Sequence, residues 1–64
     1  MTVLLFDKEK ETYTSIENVR VFTREATQIG NSNRYKYIWF FIINDGTFEN
    51  RPCKRYELYK VYTI

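Results

Sequence analysis

Tyr35-Lys36-Tyr37-Ile38-Trp39-Phe40-Phe41-Ile42-Ile43, followed at once by Asn44-Asp45-Gly46 and Thr47-Phe48-Glu49, decides how this chain folds. Aromatic and β-branched residues dominate the run, which contains neither glycine nor proline, so it reads as a strand. Asn-Asp-Gly supplies residues that tolerate left-handed backbone angles, and a β-former follows directly, so the strand turns back into a hairpin. Side chains alternate along a strand: Tyr35, Tyr37, Trp39, Phe41 and Ile43 point one way, and Lys36, Ile38, Phe40 and Ile42 the other. From Ile38 onward both faces are apolar, which marks a central strand covered on two sides. A chain of 64 residues has little left to cover both. Either the sheet rolls up with one face partly exposed, or a second chain completes it.

Downstream, Pro52 ends or bends the second arm, Cys53-Lys54-Arg55 turns, and Tyr56 to Ile64 reads as a final strand. Upstream, Val19-Arg20-Val21-Phe22-Thr23-Arg24 alternates as a strand, with the valines and Thr23 on one face. Gly30-Asn31-Ser32-Asn33 marks the loop that joins it to Tyr35. Thr2 to Phe6 and Thr12 to Thr14 flank the charged stretch Asp7-Lys8-Glu9-Lys10-Glu11 and read as a hairpin with a polar tip. Ser15-Ile16-Glu17-Asn18 reads as a turn or bulge. A helix through 7–18 is the rival there, weakened by the β-branched and aromatic residues at 12–16.

The expected fold is all-β: a small twisted antiparallel sheet of five to six strands, closed into an SH3-like barrel or left open and paired. A single sheet with one short helix, in 7–18 or 53–58, is the alternative. Residues 1–64 form a single domain, since no linker, charge block or low-complexity tract divides them. With an offset of 40 residues, Ile16 to Thr23 lies over Tyr56 to Thr63 with matching Glu, Val and Thr positions, and Thr12-Tyr13 parallels Thr47-Phe48. The chain then reads as two similar ββ units laid in one sheet.

Net charge is a mild +2, from ten Lys plus Arg and eight Asp plus Glu. Residues 1–32 carry four basic and five acidic side chains, and 33–64 carry six and three, so positive charge leans to the second half. A single cysteine closes no internal disulfide, and the apolar run Val3-Leu4-Leu5-Phe6 is too short for a signal-peptide core, so the cytoplasm is the expected compartment and no membrane contact is expected. Residues with A/T-rich codons (Phe, Tyr, Met, Ile, Asn, Lys) number 28 against 9 with G/C-rich ones (Gly, Ala, Arg, Pro), the bias of a low-GC genome.

The order of apolar strand, Asp45-Gly46 turn, Thr47-Phe48 pair, polar turn and Tyr-rich closing strand resembles small β-sheet accessory proteins of Gram-positive bacteria, their phages and integrated elements. The resemblance implies a regulator or inhibitor of a host protein, and implies nothing about individual residues.

Few side chains offer chemistry. Histidine is absent, which removes the usual general base and the commonest metal ligand. Cys53 lacks a histidine partner, although Lys54 and Arg55 stand beside it. Asp7, Glu9 and Glu11 alternate with lysines as a solvated tip would. No catalytic, cofactor-binding or metal-binding residue is assigned, and no cofactor is expected. Two binding candidates remain. Tyr35, Tyr37 and Trp39 suit an exposed protein contact, since Tyr and Trp are enriched at interface hot spots. Arg51, Lys54 and Arg55, interleaved with Tyr56 and Tyr59, form the mixture that holds phosphates and stacks bases, although Glu49 and Glu57 intrude. The expected function is therefore a non-enzymatic protein-binding module acting on a host protein, with a small nucleic-acid-binding domain as the alternative and homo-oligomerisation as a third way to cover the central strand.

Overall fold

The apolar run at 35–43 does form a central strand, and the rest of the chain is arranged around it. The computed structural model describes residues 1–63 and contains six strands: β1 (Thr2–Asp7), β2 (Thr12–Ile16), β3 (Val19–Gln28), β4 (Tyr35–Ile43), β5 (Phe48–Pro52) and β6 (Tyr56–Tyr62). They build two antiparallel sheets, sheet I in the order β2-β1-β6 and sheet II in the order β3-β4-β5. No helix occurs among the described residues. Residues 8–11 turn instead, because the Asp7 carboxylate accepts from the backbone N–H groups of Glu9 and Lys10 at 3.0 and 3.2 Å and Glu11 takes a left-handed φ of 54°, which returns the chain as β2.

Barrel closure does not occur. β5 and β6 are not paired among the described residues, and both sheets stay open. Pro52 has no N–H to donate and terminates β5 after five residues. The expected final strand ends at Tyr62; Ile64 lies outside the described residues.

The two sheets meet at a corner. Glu17 and Asn18 separate β2 from β3, with Asn18 at a φ of 59°. Met1 and Val19 exchange two backbone hydrogen bonds of 2.8 Å, and Asn44 N–H donates to the Asn18 carbonyl at 2.8 Å. Backbone hydrogen bonding therefore continues across the bend between β2 and β3.

The repeated halves are exchanged rather than laid side by side, which corrects the single-sheet expectation. The β1–β2 hairpin receives β6 from the second half along β1, and the β4–β5 hairpin receives β3 from the first half along β4. Each incoming strand carries one bulge. Pairing steps from Val19↔Ile43 to Val21↔Ile42, leaving Arg20 extra, and from Leu4↔Lys60 to Leu5↔Leu58, leaving Tyr59 extra.

The Arg20 bulge also corrects the expected faces of β3. Strict alternation put Val19 and Val21 together. The extra residue inverts the parity beyond it: Val19 is buried in the core, whereas Val21 faces outward and is exposed.

Val3, Leu5, Ile16, Val19 and Phe41 form the buried core between the sheets, with Phe22, Trp39, Ile43, Tyr56 and Val61 packed around it. The core is small because the β3–β4 hairpin projects past sheet I. The radius of gyration is 12.7 Å and the extents are 42 × 29 × 14 Å, against about 11 Å for the radius of a compact chain of this length. The accessible surface, 4971 Å², likewise exceeds the roughly 4400 Å² that size scaling gives.

Candidate functional site

Val3, Leu5 and Asp7 share the inner face of β1, so the period that buries the first two also buries Asp7, which is 2% exposed. Its charge is met by Arg55 from the turn before β6. Nε donates to Oδ1 and Nη2 to Oδ2, each at 2.9 Å. Arg55 also lies 3.5 Å from Glu9 and covers the ring of Tyr56 at 5.2 Å, while its carbonyl accepts from Lys8 N–H at 2.9 Å. The Arg55 hydrogen bonds, aided by the turn N–H groups, hold the Asp7 carboxyl down at about 2 against the opposing effect of burial. The same bonds push Arg55 upward. This pair ties the β1–β2 tip to the 53–55 turn.

That turn is also tied to the projecting hairpin, because Cys53 N–H donates to the Tyr37 carbonyl at 3.0 Å. Between hairpin and turn lies a cleft of about 380 Å³ lined by Ile29, Tyr35, Lys36, Tyr37, Pro52, Cys53 and Lys54. A second, more open hollow of about 460 Å³ adjoins it across Pro52 and Lys54 and reaches Lys8, Glu9 and Arg55. Burial pushes the Cys53 thiol up, opposed by the positive charges of Arg24 and Lys8.

The cleft brings together residues from both sequence candidates. Tyr35 and Tyr37 are 54% and 46% exposed, and Arg24 stands over the Tyr37 ring at 5.1 Å. Lys54 joins them from the turn. Trp39 does not: it packs against the core and its Nε1–H donates to the Tyr56 carbonyl at 3.0 Å, linking β4 to β6.

The C-terminal basic group is dispersed. Arg55 is held by Asp7. Arg51 lies 3.7 Å from Glu49 and donates to the Asn50 carbonyl at 2.8 Å. Tyr56 is half-buried behind Arg55. Tyr59, at the β6 bulge, is exposed on the outer face of sheet I, 4.8 Å from Tyr13, which in turn lies 5.1 Å from Phe6. Sequence reasoning missed Lys36 at the cleft, Lys8 at the adjoining hollow and Arg24 over the Tyr37 ring, because they belong to three different strands or tips and only pairing order brings them together.

The outer face of sheet II is a second candidate surface. Register places Val21, Thr23 and Glu25 of β3 beside Ile42, Phe40 and Ile38 of β4, and these beside Phe48, Asn50 and Pro52 of β5. Phe40 and Phe48 stack at 5.3 Å, and Phe48 is 63% exposed. A shallow hollow of about 110 Å³ opens among Val21, Thr23, Glu25, Phe40 and Ile42.

No family model, curated protein or solved structure matches the chain. Among the described residues no group of His, Cys, Asp and Glu is placed to hold a metal ion, and no helix is long and apolar enough to cross a membrane.

Proposed function

We propose that this protein is a non-enzymatic protein-binding module that docks through the outer face of sheet II. The observation that carries the reading is the stacked Phe40–Phe48 pair, with Phe48 and Val21 exposed and Phe40 and Ile42 half-buried beside them. Contiguous exposed apolar surface of this kind marks interaction sites in folded proteins. Charge narrows the partner. Glu25 stands at the rim of the small hollow with no cation within 4.0 Å among the described residues, its carboxylate facing only the Thr23 hydroxyl at 3.4 Å. The complementary partner surface presents an apolar side chain beside a Lys or Arg.

The low-GC composition and the resemblance to accessory proteins support a partner in a Gram-positive host. The protein then acts in the cytoplasm as a phage- or mobile-element-encoded inhibitor or regulator. A catalytic role finds no support: the chain has no histidine, and a thiol pushed up by burial, as at Cys53, is a poor nucleophile at neutral pH. Affinity capture from a low-GC Gram-positive lysate tests the proposal with three baits of equal thermal stability: the natural protein, Phe48→Lys and Glu25→Lys. One host protein should be retained near stoichiometry by the natural protein and lost from both variants. Equal retention by all three would refute the face.

A further inference from the structure

The cleft at the base of the β3–β4 hairpin lies on the opposite side of sheet II from the docking face, since Tyr35 and Tyr37 share the parity of buried Phe41 while Phe40 and Ile42 have the other. Its charge is unlike that of the molecule as a whole. Lys8, Lys54 and Arg24 come from the β1–β2 tip, the 53–55 turn and β3. Among the described residues none of them has a carboxylate within 4.0 Å. Among the described residues, the only acidic group lining either hollow is Glu9, which Arg55 already faces. A protein of net charge +2 thus gathers three cations without a carboxylate partner around one turn, Arg24 resting against the Tyr37 ring. Two of them, Arg24 and Lys8, are near enough for their charge to act on the Cys53 thiol.

Two aromatic rings complete the cleft. Tyr35 and Tyr37 are alternate residues on one strand face, about 7 Å apart along it, and both are about half exposed. We propose that this cleft binds single-stranded nucleic acid, with the lysines and Arg24 meeting phosphates and the two tyrosines stacking on successive unpaired bases. A duplex hides its base faces and leaves the tyrosines unused. An acidic peptide engages the lysines but offers no flat ring to them. The site shares Lys54 with the 51–62 surface suggested by sequence but not Arg51 and Arg55, which are already paired.

Fluorescence anisotropy of a labelled oligothymidylate of about 15 nucleotides, titrated with the full-length protein in about 50 mM salt, tests the proposal. Binding should weaken roughly tenfold or more by about 200 mM salt, the dependence for about three phosphates. It should be lost in Lys8→Glu/Lys54→Glu, weakened about thirtyfold or more in Tyr35→Ala/Tyr37→Ala, and unchanged in Arg51→Glu and Tyr59→Ala. Cys53 gives a readout free of substitutions: saturating oligonucleotide should slow its alkylation by iodoacetamide. Absence of binding in about 50 mM salt, unslowed alkylation at saturation, or equal loss in Arg51→Glu and Tyr59→Ala would each overturn the assignment. So would competition by polyglutamate at equal charge, which would give the cleft to an acidic protein instead.

Discussion

Arg55 reaches across 48 positions of sequence to hold Asp7 by two parallel hydrogen bonds of 2.9 Å. A planar guanidinium fork matched to a carboxylate fixes orientation as well as distance. Here it fastens the first hairpin to the turn that launches the last strand, at the point where the open sheets would otherwise part.

The pair makes stability acid-sensitive in a defined window. The Asp7 carboxyl sits at about 2 in the folded protein, below its ordinary 3.8. A folded value below the unfolded one means that the stabilisation is fully present above about pH 4 and is lost as pH falls towards 2, where the folded state also takes up the proton. Thermal melts should therefore drop between pH 4 and 2 in the natural protein. In Asp7→Asn the midpoint should be lower at neutral pH and the drop in that window smaller. An unchanged pH profile would show that the pair contributes nothing. Arg55→Lys, which keeps the charge and loses the fork, should also melt lower than Lys54→Ala.

Core and surface phenylalanines should separate cleanly. Phe41 is wholly buried and Phe48 is 63% exposed. Phe41→Ala should cost about 3–5 kcal/mol, comparable with the total stability of a domain this small, so the variant should be largely unfolded at 25 °C by circular dichroism. Phe48→Lys should keep its cooperative transition within about 0.5 kcal/mol of the natural protein.

The hydroxyl of Thr14 is buried without a hydrogen-bond partner, on the inner face of β2 opposite Leu5. Thr14→Val removes the unsatisfied group and keeps β-branching, so denaturant unfolding should show a gain of about 1 kcal/mol. A loss would mean that water satisfies the hydroxyl in solution.

Gly46 occupies φ 92° in the β4–β5 turn, and a Cβ there would touch nothing within 4 Å. Any cost of Gly46→Ala is therefore backbone strain alone, about 1–2 kcal/mol, measurable by chemical denaturation. Glu11, at φ 54°, should show the reverse, with Glu11→Gly stabilising by a few tenths of a kcal/mol.

Much of the fold was legible because it depends on local pattern. The hairpin at 35–52 follows from an apolar run and Asn44-Asp45-Gly46. The polar tip at 8–11 and the turn at 53–55 follow from charge and from Pro52. Exchange of β3 and β6 between the halves was not legible, since strand pairing order leaves no periodic trace. The Arg20 bulge was hidden for a related reason: alternation through Val19 and Val21 is unbroken in sequence, and only the Ile42–Ile43 partners reveal the extra residue. Asp7 was legible in principle through the parity of Val3 and Leu5, but its charge pointed to solvent, and its partner lies at the far end of the chain. The cleft lysines were visible individually. Their freedom from carboxylates is a property of three-dimensional placement alone.

Site-specific photocrosslinking tests the central claim most directly. A photoreactive phenylalanine analogue at Phe48, and as a control at Tyr59 on the outer face of sheet I, is expressed in a low-GC Gram-positive host and irradiated in the living cell. We expect one discrete adduct with a host protein from position 48 and none from 59. No adduct at 48, adducts of equal yield at both positions, or an adduct made only with a second copy of this chain would contradict docking on a host protein through sheet II.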